Sequence, residues 1–178
     1  MKNKLPGDKD SKKIIEEIIR VNHAGEYGAK RIYEGQLAVL KDTPSYQTIS
    51  HMKDQEEKHL KYFEEQLKEK RIRPSILFPL WHVGGYILGV TTSLLGEKAA
   101  MACTEAVEEV ISEHYEKQIE ILDSDPKLRE KIQEFRNEEI EHQNTAIHNS
   151  SYDAPIYSIL TNTIKFGCKT AIWLAKRF

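Results

Sequence analysis

The sequence predicts an all-α fold: a four-helix bundle with a long crossover between its second and third helices and an additional C-terminal amphipathic helix. Three observations predict it. Four long stretches repeat apolar side chains at alternating steps of three and four, the spacing of one helix face. Only 9 Gly and 6 Pro interrupt 178 residues that are 39% apolar and 30% charged, a composition of ordered helix. Glu-x-x-His occurs twice, as Glu56-Glu57-Lys58-His59 and Glu139-Ile140-Glu141-His142, each time on an apolar stripe.

The first helix is expected from about Lys12 to Leu40, with Asp10 or Ser11 as its cap. Its inward stripe is Ile15, Ile19, Asn22, Glu26, Ala29, Tyr33, Gln36 and Leu40. Gly25, Gly28 and Gly35 each cost about 1 kcal/mol of helix propensity relative to Ala. Their presence predicts close packing around Glu26. Asp42-Thr43-Pro44-Ser45 makes a turn, and the second helix runs to about Lys70 with Ile49, Met52, Glu56, His59, Phe63 and Gln66 inward. His51 lies off that seam, at the surface.

Residues 75–96 contain no Asp, Glu, Lys or Arg. About 20 apolar residues suffice to cross a bilayer. Pro79, Gly84, Gly85, Thr91, Thr92 and Ser93 dilute the stretch, and a single span would separate the two halves of the repeat. A crossover over 71–96 that lies along the bundle, facing a membrane, fits better. It lets the third helix start at the end opposite to where the second finishes.

The third helix runs from Gly96-Glu97 to about Leu122, with Met101, Thr104, Glu108, Ile111, Tyr115, Gln118 and Leu122 on one seam. Glu109 falls instead in a row with Glu113, Glu116 and Glu120, which belongs in water or just outside the site. Asp123-Ser124-Asp125-Pro126 ends this helix and caps the fourth, Lys127 to about Ser150, whose stripe is Leu128, Ile132, Phe135, Glu139, His142 and Ala146. After Asp153-Ala154-Pro155 comes the amphipathic helix over 156–178. Trp173, Lys165, Lys169, Lys176 and Arg177 give it the character of an interfacial helix at a headgroup layer.

A lone Glu-x-x-His is a weak motif, since about one accidental copy is expected at this composition. The weight lies in an internal repeat. Glu26 precedes Glu56 by 30 residues and Glu108 precedes Glu139 by 31, with a histidine three residues after the second Glu in each half. Residues three apart share a helix face. Two hairpins thus offer four carboxylates and two imidazoles to one point inside the bundle, the ligand set of ferritin-like di-iron and di-manganese carboxylate proteins. Anionic oxygen suits hard divalent ions. Zinc is disfavoured, because its structural sites prefer thiolates and four ligands. Without cations, four buried carboxylates would be costly.

Several blocks are more specific than that pattern. They are Ile18-Ile19-Arg20-Val21-Asn22-His23-Ala24-Gly25-Glu26-Tyr27-Gly28-Ala29, Asp54-Gln55-Glu56, Arg73-Pro74 through Pro79-Leu80-Trp81, Met101-Ala102-Cys103-Thr104, Ala106-Val107-Glu108-Glu109 and Phe135-Arg136. Through them the chain after about residue 14 resembles the demethoxyubiquinone hydroxylase family. The resemblance implies a di-iron monooxygenase acting on the quinone ring of a polyprenylated demethoxyubiquinone, the penultimate step of ubiquinone synthesis, with Glu26, Glu56, His59, Glu108, Glu139 and His142 as iron ligands. It implies two Fe ions, O2 and NADH, although no Gly-x-Gly-x-x-Gly fingerprint shows where NADH binds. His114 and Tyr115 follow Glu108 and are expected to shape the pocket or relay protons and electrons, with ordinary packing as the equal alternative. Some family members carry Arg and Tyr where this chain has Lys169 and Trp173, so no role in electron entry carries over to those two.

The resemblance places the protein peripherally on the cytoplasmic face of the cell membrane, with a lipid-binding protein partner and a homo-oligomer as further expectations. Iron storage or ferroxidase activity would use the same ligands, as would a manganese catalase, but neither needs a lipid-facing surface. The remaining composition is restrictive. At 178 residues the chain is read as a single domain, 1–178. A net charge of −2 without a long basic run excludes an electrostatic footprint for nucleic acid. Cys103 and Cys168 form no Cys-x-x-Cys and read as small buried residues in a reducing compartment. Residues 1–11 are polar, lack a secretory or transit pattern, and are expected to be mobile.

Overall fold

The computed structural model describes residues 10–178. The expected mobile segment 1–11 falls almost entirely outside the described residues, and Ser11 already opens the first helix. The helices are α1 (Ser11–Val39), α2 (Ser45–Lys70), α3 (Phe78–Leu94), α4 (Glu97–Ile119), α5 (Pro126–His148) and α6 (Tyr157–Ala175), with a 3-10 turn at Ser151–Asp153. Helices α1, α2, α4 and α5 are the four that the apolar stripes predict, and they form the bundle. Asp125 caps α5 as expected, accepting from the Leu128 N–H at 3.1 Å. Asp10 holds the cap position of α1, but its side chain makes no capping bond.

Cross-helix pairs fix the register. Asn22 and Gln118 exchange amide hydrogen bonds at 2.8 and 2.7 Å, Tyr33 donates to Glu108 at 2.6 Å, and Gln36 donates to Ala100 O at 3.1 Å. Numbers rise along α1 as they fall along α4, so these helices are antiparallel. The short turn makes α1 and α2 antiparallel as well. Helices α2 and α4 therefore run the same way, and their first residues meet. Glu97 Oε2 accepts from Ser45 N at 3.1 Å and from Ser45 Oγ at 2.6 Å. The crossover thus performs the traverse its length predicts.

The crossover also contains a helix, α3, which the sequence reading leaves as an unassigned apolar segment. It lies against α1 through glycines. A Cβ on Gly85 would sit 2.8 Å from Gly28 O, one on Gly35 would sit 2.9 Å from Val90 N, and one on Gly89 would run into Ile32 O. The close packing expected around Glu26 is therefore on another face. Gly35 is nine residues from Glu26, half a turn around the helix, and it admits α3 rather than a bundle partner. Among the described residues no helix is long and apolar enough to cross a membrane.

Two apolar layers enclose the middle of the bundle. Ile19, Phe63, Tyr115, Leu122, Ile132 and Phe135 fill one end, and Tyr33, Leu40, Ile49, Met52, Met101 and Ala146 fill the other. Burying side chains of this size is worth about 1.5–3 kcal/mol each, so the layer between them is held rigidly. The α2 seam departs from expectation only at its end, where Leu67 is buried and Gln66 is only half-buried.

Helix α6 packs on α4, and two of its lysines pair with α4. Lys165 reaches Glu109 at 2.7 Å and Lys169 reaches Glu113 at 3.5 Å. Both lysines pair with the acidic row of α4, and Lys169 stays exposed. The apolar residues of α6 divide. Ile164 is buried and Cys168 is half-buried, whereas Ile159, Phe166 and Trp173 remain exposed.

Candidate metal centre

The layer between the two apolar clusters is occupied by Glu26, Glu56, His59, Glu108, Glu139 and His142. None is more than 2% exposed. Their atoms form two overlapping groups, Glu26, Glu56, His59 and Glu139, and Glu56, Glu108, Glu139 and His142, with the ligand atoms of each group within 4.8 Å of one another. Glu56 and Glu139 belong to both. Each group adds one private Glu and one private His. Such a cluster fits a pair of cations, with Glu56 and Glu139 available to both.

The histidines turn Nδ1 inward. His59 Nδ1 lies 3.3 Å from Glu26 Oε2 and 3.1 Å from Glu139 Oε1. His142 Nδ1 lies 3.3 Å from Glu56 Oε1 and 3.1 Å from Glu139 Oε2. Their Nε2 atoms point away, to Glu138 Oε2 at 2.7 Å and to Gln55 Oε1 at 3.1 Å. Two tyrosines close the layer. Tyr33 donates to Glu108 Oε1 at 2.6 Å, and Tyr115 donates to Glu26.

The donor set fits cations on its own chemistry. Glu26 Oε2, both oxygens of Glu56, Glu108 Oε2, Glu139 Oε1 and His59 Nδ1 are buried without a hydrogen-bond partner. Buried polar atoms are rarely left unpaired, and here the unpaired ones converge. Protonation takes up part of the imbalance. Burial, then the neighbouring Glu139, Glu26 and Glu108, push Glu56 well above the usual carboxyl range. Burial, then Glu139, do the same to Glu108. Burial alone would raise Glu139, but the hydrogen bond from His142 and the nearby His59 imidazole hold it at about 2. Burial opposes a charged His59, yet the carboxylates of Glu139 and Glu26 beside its Nδ1 raise it to about 12. Protons thus hold the positions that divalent ions would take, and metal binding would release them.

The other expected residues separate. Tyr115 is in the ligand layer. His114 is half-buried on a different face, its Nε2 2.8 Å from Gln118 Nε2, and partial burial with Lys176 and Lys117 nearby lowers it to about 4. Glu109 points to Lys165 and away from the ligand layer, as the seam predicts. Sequence reasoning gives no polar role to Tyr33, Gln55 or Glu138. The available signal for the last two is that each directly precedes the Glu of its Glu-x-x-His.

An apolar cavity of about 430 Å³ lies beside this layer, among α1, α3, α4 and α6. Gly25, Ala29, Val107 and Ile111, which flank Glu26 and Glu108 in sequence, form one wall, and Trp81 and Ile172 belong to the α3 and α6 walls. Pockets that take small molecules are typically of this size and mostly apolar.

The family of the ubiquinone biosynthesis protein COQ7 matches residues 13–175. This chain belongs to that family. The chain is 46% identical over 177 residues to the 3-demethoxyubiquinol 3-hydroxylase of Rhodospirillum rubrum, covering 98% of this chain and 84% of that protein. It is 47% identical over 179 residues to the mitochondrial NADPH-dependent 3-demethoxyubiquinone 3-hydroxylase of Dictyostelium discoideum, covering 98% and 82%. With the mitochondrial 5-demethoxyubiquinone hydroxylase of Saccharomyces cerevisiae it shares 40% over 182 residues, covering 92% and 78%. The COQ7 match takes in all six residues of the buried layer and all of the cavity wall.

Proposed function

We infer that this chain is a monooxygenase that hydroxylates the ring of a polyprenylated demethoxyubiquinone in ubiquinone biosynthesis. The observation that carries the reading is a buried layer of four carboxylates and two imidazoles together with an apolar cavity whose wall includes Gly25, Ala29, Val107 and Ile111, neighbours of Glu26 and Glu108 on the same helices, in a chain of the COQ7 family. Two iron ions held by Glu26, Glu56, His59, Glu108, Glu139 and His142 would supply the activation of O2. One oxygen atom enters the ring and the other leaves as water, with two electrons and two protons consumed. The reductant is a reduced nicotinamide dinucleotide, NADH or the NADPH that several relatives carry in their names.

The chain's own residues orient and exclude. The cavity wall is almost entirely apolar, so a quinone ring is desolvated there and water is kept out. Glu56 and Glu139, which belong to both ligand groups, would each be within reach of two cations. Tyr33 and Tyr115 hold Glu108 and Glu26 in single orientations, which leaves one oxygen of each free for an ion. Tyr115 also keeps a proton at its hydroxyl beside the site, since burial, then Glu26, raise its pKa.

The membrane surface belongs to the same reading. Leu80, Val83 and Ile87 on α3 are 53–54% exposed, and Ile159 and Phe166 on α6 are 67% and 74% exposed. Helix α3 packs on α1 and α6 on α4, so these side chains flank the cavity. Exposed apolar patches of this kind mark interaction surfaces. The protein lies peripherally on the membrane, the prenyl tail stays in lipid, and the ring reaches the metal layer. An iron-storage protein would use the same ligands but has no need of the cavity.

The test is product analysis. Iron-loaded protein with a demethoxyubiquinone, O2 and a reduced dinucleotide should give the hydroxylated quinone, and the gene should restore ubiquinone in a strain lacking this step. Rapid iron oxidation without quinone product would favour ferroxidase chemistry. Flotation with liposomes tests the membrane surface, and recovery wholly in the lipid-free fraction would refute it.

A further inference from the structure

The internal repeat differs at one position that touches the metal layer. The residue before the motif Glu is Gln55 in the first half and Glu138 in the second. Each reaches across the bundle to the other half's histidine. Glu138 Oε2 is 2.7 Å from His59 Nε2, and Gln55 Oε1 is 3.1 Å from His142 Nε2. Both rings turn Nδ1 toward the carboxylates, at 3.1–3.3 Å. A ring that offers its Nδ1 lone pair inward carries its proton on Nε2. Both outer oxygens accept that proton, so both fix the tautomer. They differ in charge. A carboxylate pulls the proton more strongly than an amide and makes the imidazole a stronger donor to a cation.

The rest of the ligand set is balanced. Glu56 and Glu139 are shared, and each half adds one Glu and one His. Each private Glu accepts from a tyrosine hydroxyl, Glu26 from Tyr115 and Glu108 from Tyr33. The remaining difference in charge lies in the outer partners.

We propose that Glu138 and Gln55 make the two metal half-sites inequivalent. The half-site of Glu26 and His59, backed by Glu138, binds a divalent cation more tightly and fills first. The half-site of Glu108 and His142, backed by Gln55, is the weaker. Glu138 is a positioning residue that acts through His59. This rests on the reading of the six buried residues as metal ligands.

The test is titration of the metal-free, full-length protein with Co(II), followed by its visible absorption and by calorimetry. Wild type should take up two ions in two resolved steps. Glu138→Gln should weaken the tighter step by about 10–100-fold, the usual effect of losing such a partner, while still binding two ions. Gln55→Glu should tighten the weaker step, which a purely structural role for these residues would not do. Two equal steps in wild type overturn the proposal, as does an unchanged gap in Glu138→Gln. Should Glu138→Gln fail to fold, Gln55→Glu decides alone, and no tightening there overturns it. Wild type that binds no Co(II) would instead refute the metal-ligand reading.

Discussion

Tyr33 on α1 donates its hydroxyl proton to Glu108 Oε1 on α4 at 2.6 Å, both residues almost completely buried. The bond links the two hairpins of the repeat and leaves Glu108 Oε2 without a partner, open to a cation. Tyr33→Phe removes the donor and leaves a buried oxygen unpaired. The metal-free variant should lose about 1–3 kcal/mol of stability, read from urea denaturation. A change of only a few tenths would show that the bond holds nothing in place.

Metal-free protein should become less stable as pH rises above 6.5. His59 is raised from 6.5 to about 12, so the folded state keeps a proton there that the unfolded chain gives up. Its stabilisation is complete below 6.5 and is lost progressively toward 12. Glu56 and Glu108, raised from 4.5, act in the same direction from 4.5 upward. Glu139, held at about 2, contributes stability that is complete above 4.5 and constant in this range. Bound metal replaces these protons, so the loss should flatten. Melting temperatures with chelator and with iron, compared across pH, check this, and two parallel curves would contradict it.

Glu108→Ala and Glu109→Ala should differ sharply despite being neighbours. A step of one residue turns a side chain by about 100° around the helix. Glu108 is 1% exposed in the ligand layer, while Glu109 pairs with Lys165. Glu108→Ala should lose one or both irons and all quinone hydroxylation. Glu109→Ala should keep two irons and most activity, losing at most about 1 kcal/mol from a part-exposed ion pair. Metal analysis beside product chromatography separates them, and the reverse pattern would mean the metal lies on the other face of α4.

Gly167→Leu should narrow the cavity without disturbing the fold. Gly167 lines the cavity, and a Cβ there meets no atom within 4 Å. The variant should bind two irons and melt as wild type does. Its kcat/KM for a long-prenyl substrate should fall about tenfold, equivalent to about 1.4 kcal/mol. Unchanged kinetics would place the substrate elsewhere.

The six candidate ligands were legible because each depends on a local rule. Glu56 and His59 share a face by their spacing, and Glu26 and Glu108 fall on stripes that must face inward. The choice of Glu108 over Glu109 followed from the seam through Thr104 and Tyr115. Helix α3 was not legible as a helix. Its apolar residues point both to α1 and outward, so no single stripe marks a buried face, and Gly84 and Gly85 count in the sequence only as dilution of an apolar stretch, not as contact points. The pairing of Lys165 and Lys169 with Glu109 and Glu113 was not legible, because an amphipathic pattern shows which residues are charged, not which neighbour they meet.

By itself the sequence determined the helices other than α3, the inward faces of the bundle and the repeated set of four carboxylates and two imidazoles, since spacing along one helix is set by covalent geometry and the 3.6-residue turn. Only the tertiary structure decided what depends on approach between helices. It placed Glu56 and Glu139 in both halves of the site, set Glu138 and Gln55 on the opposite histidines, and left a cavity between α3 and α6. Those relationships join residues 79 to 89 positions apart or more, where contact is fixed by how ridges and small residues let the helices pack, and no local pattern encodes it.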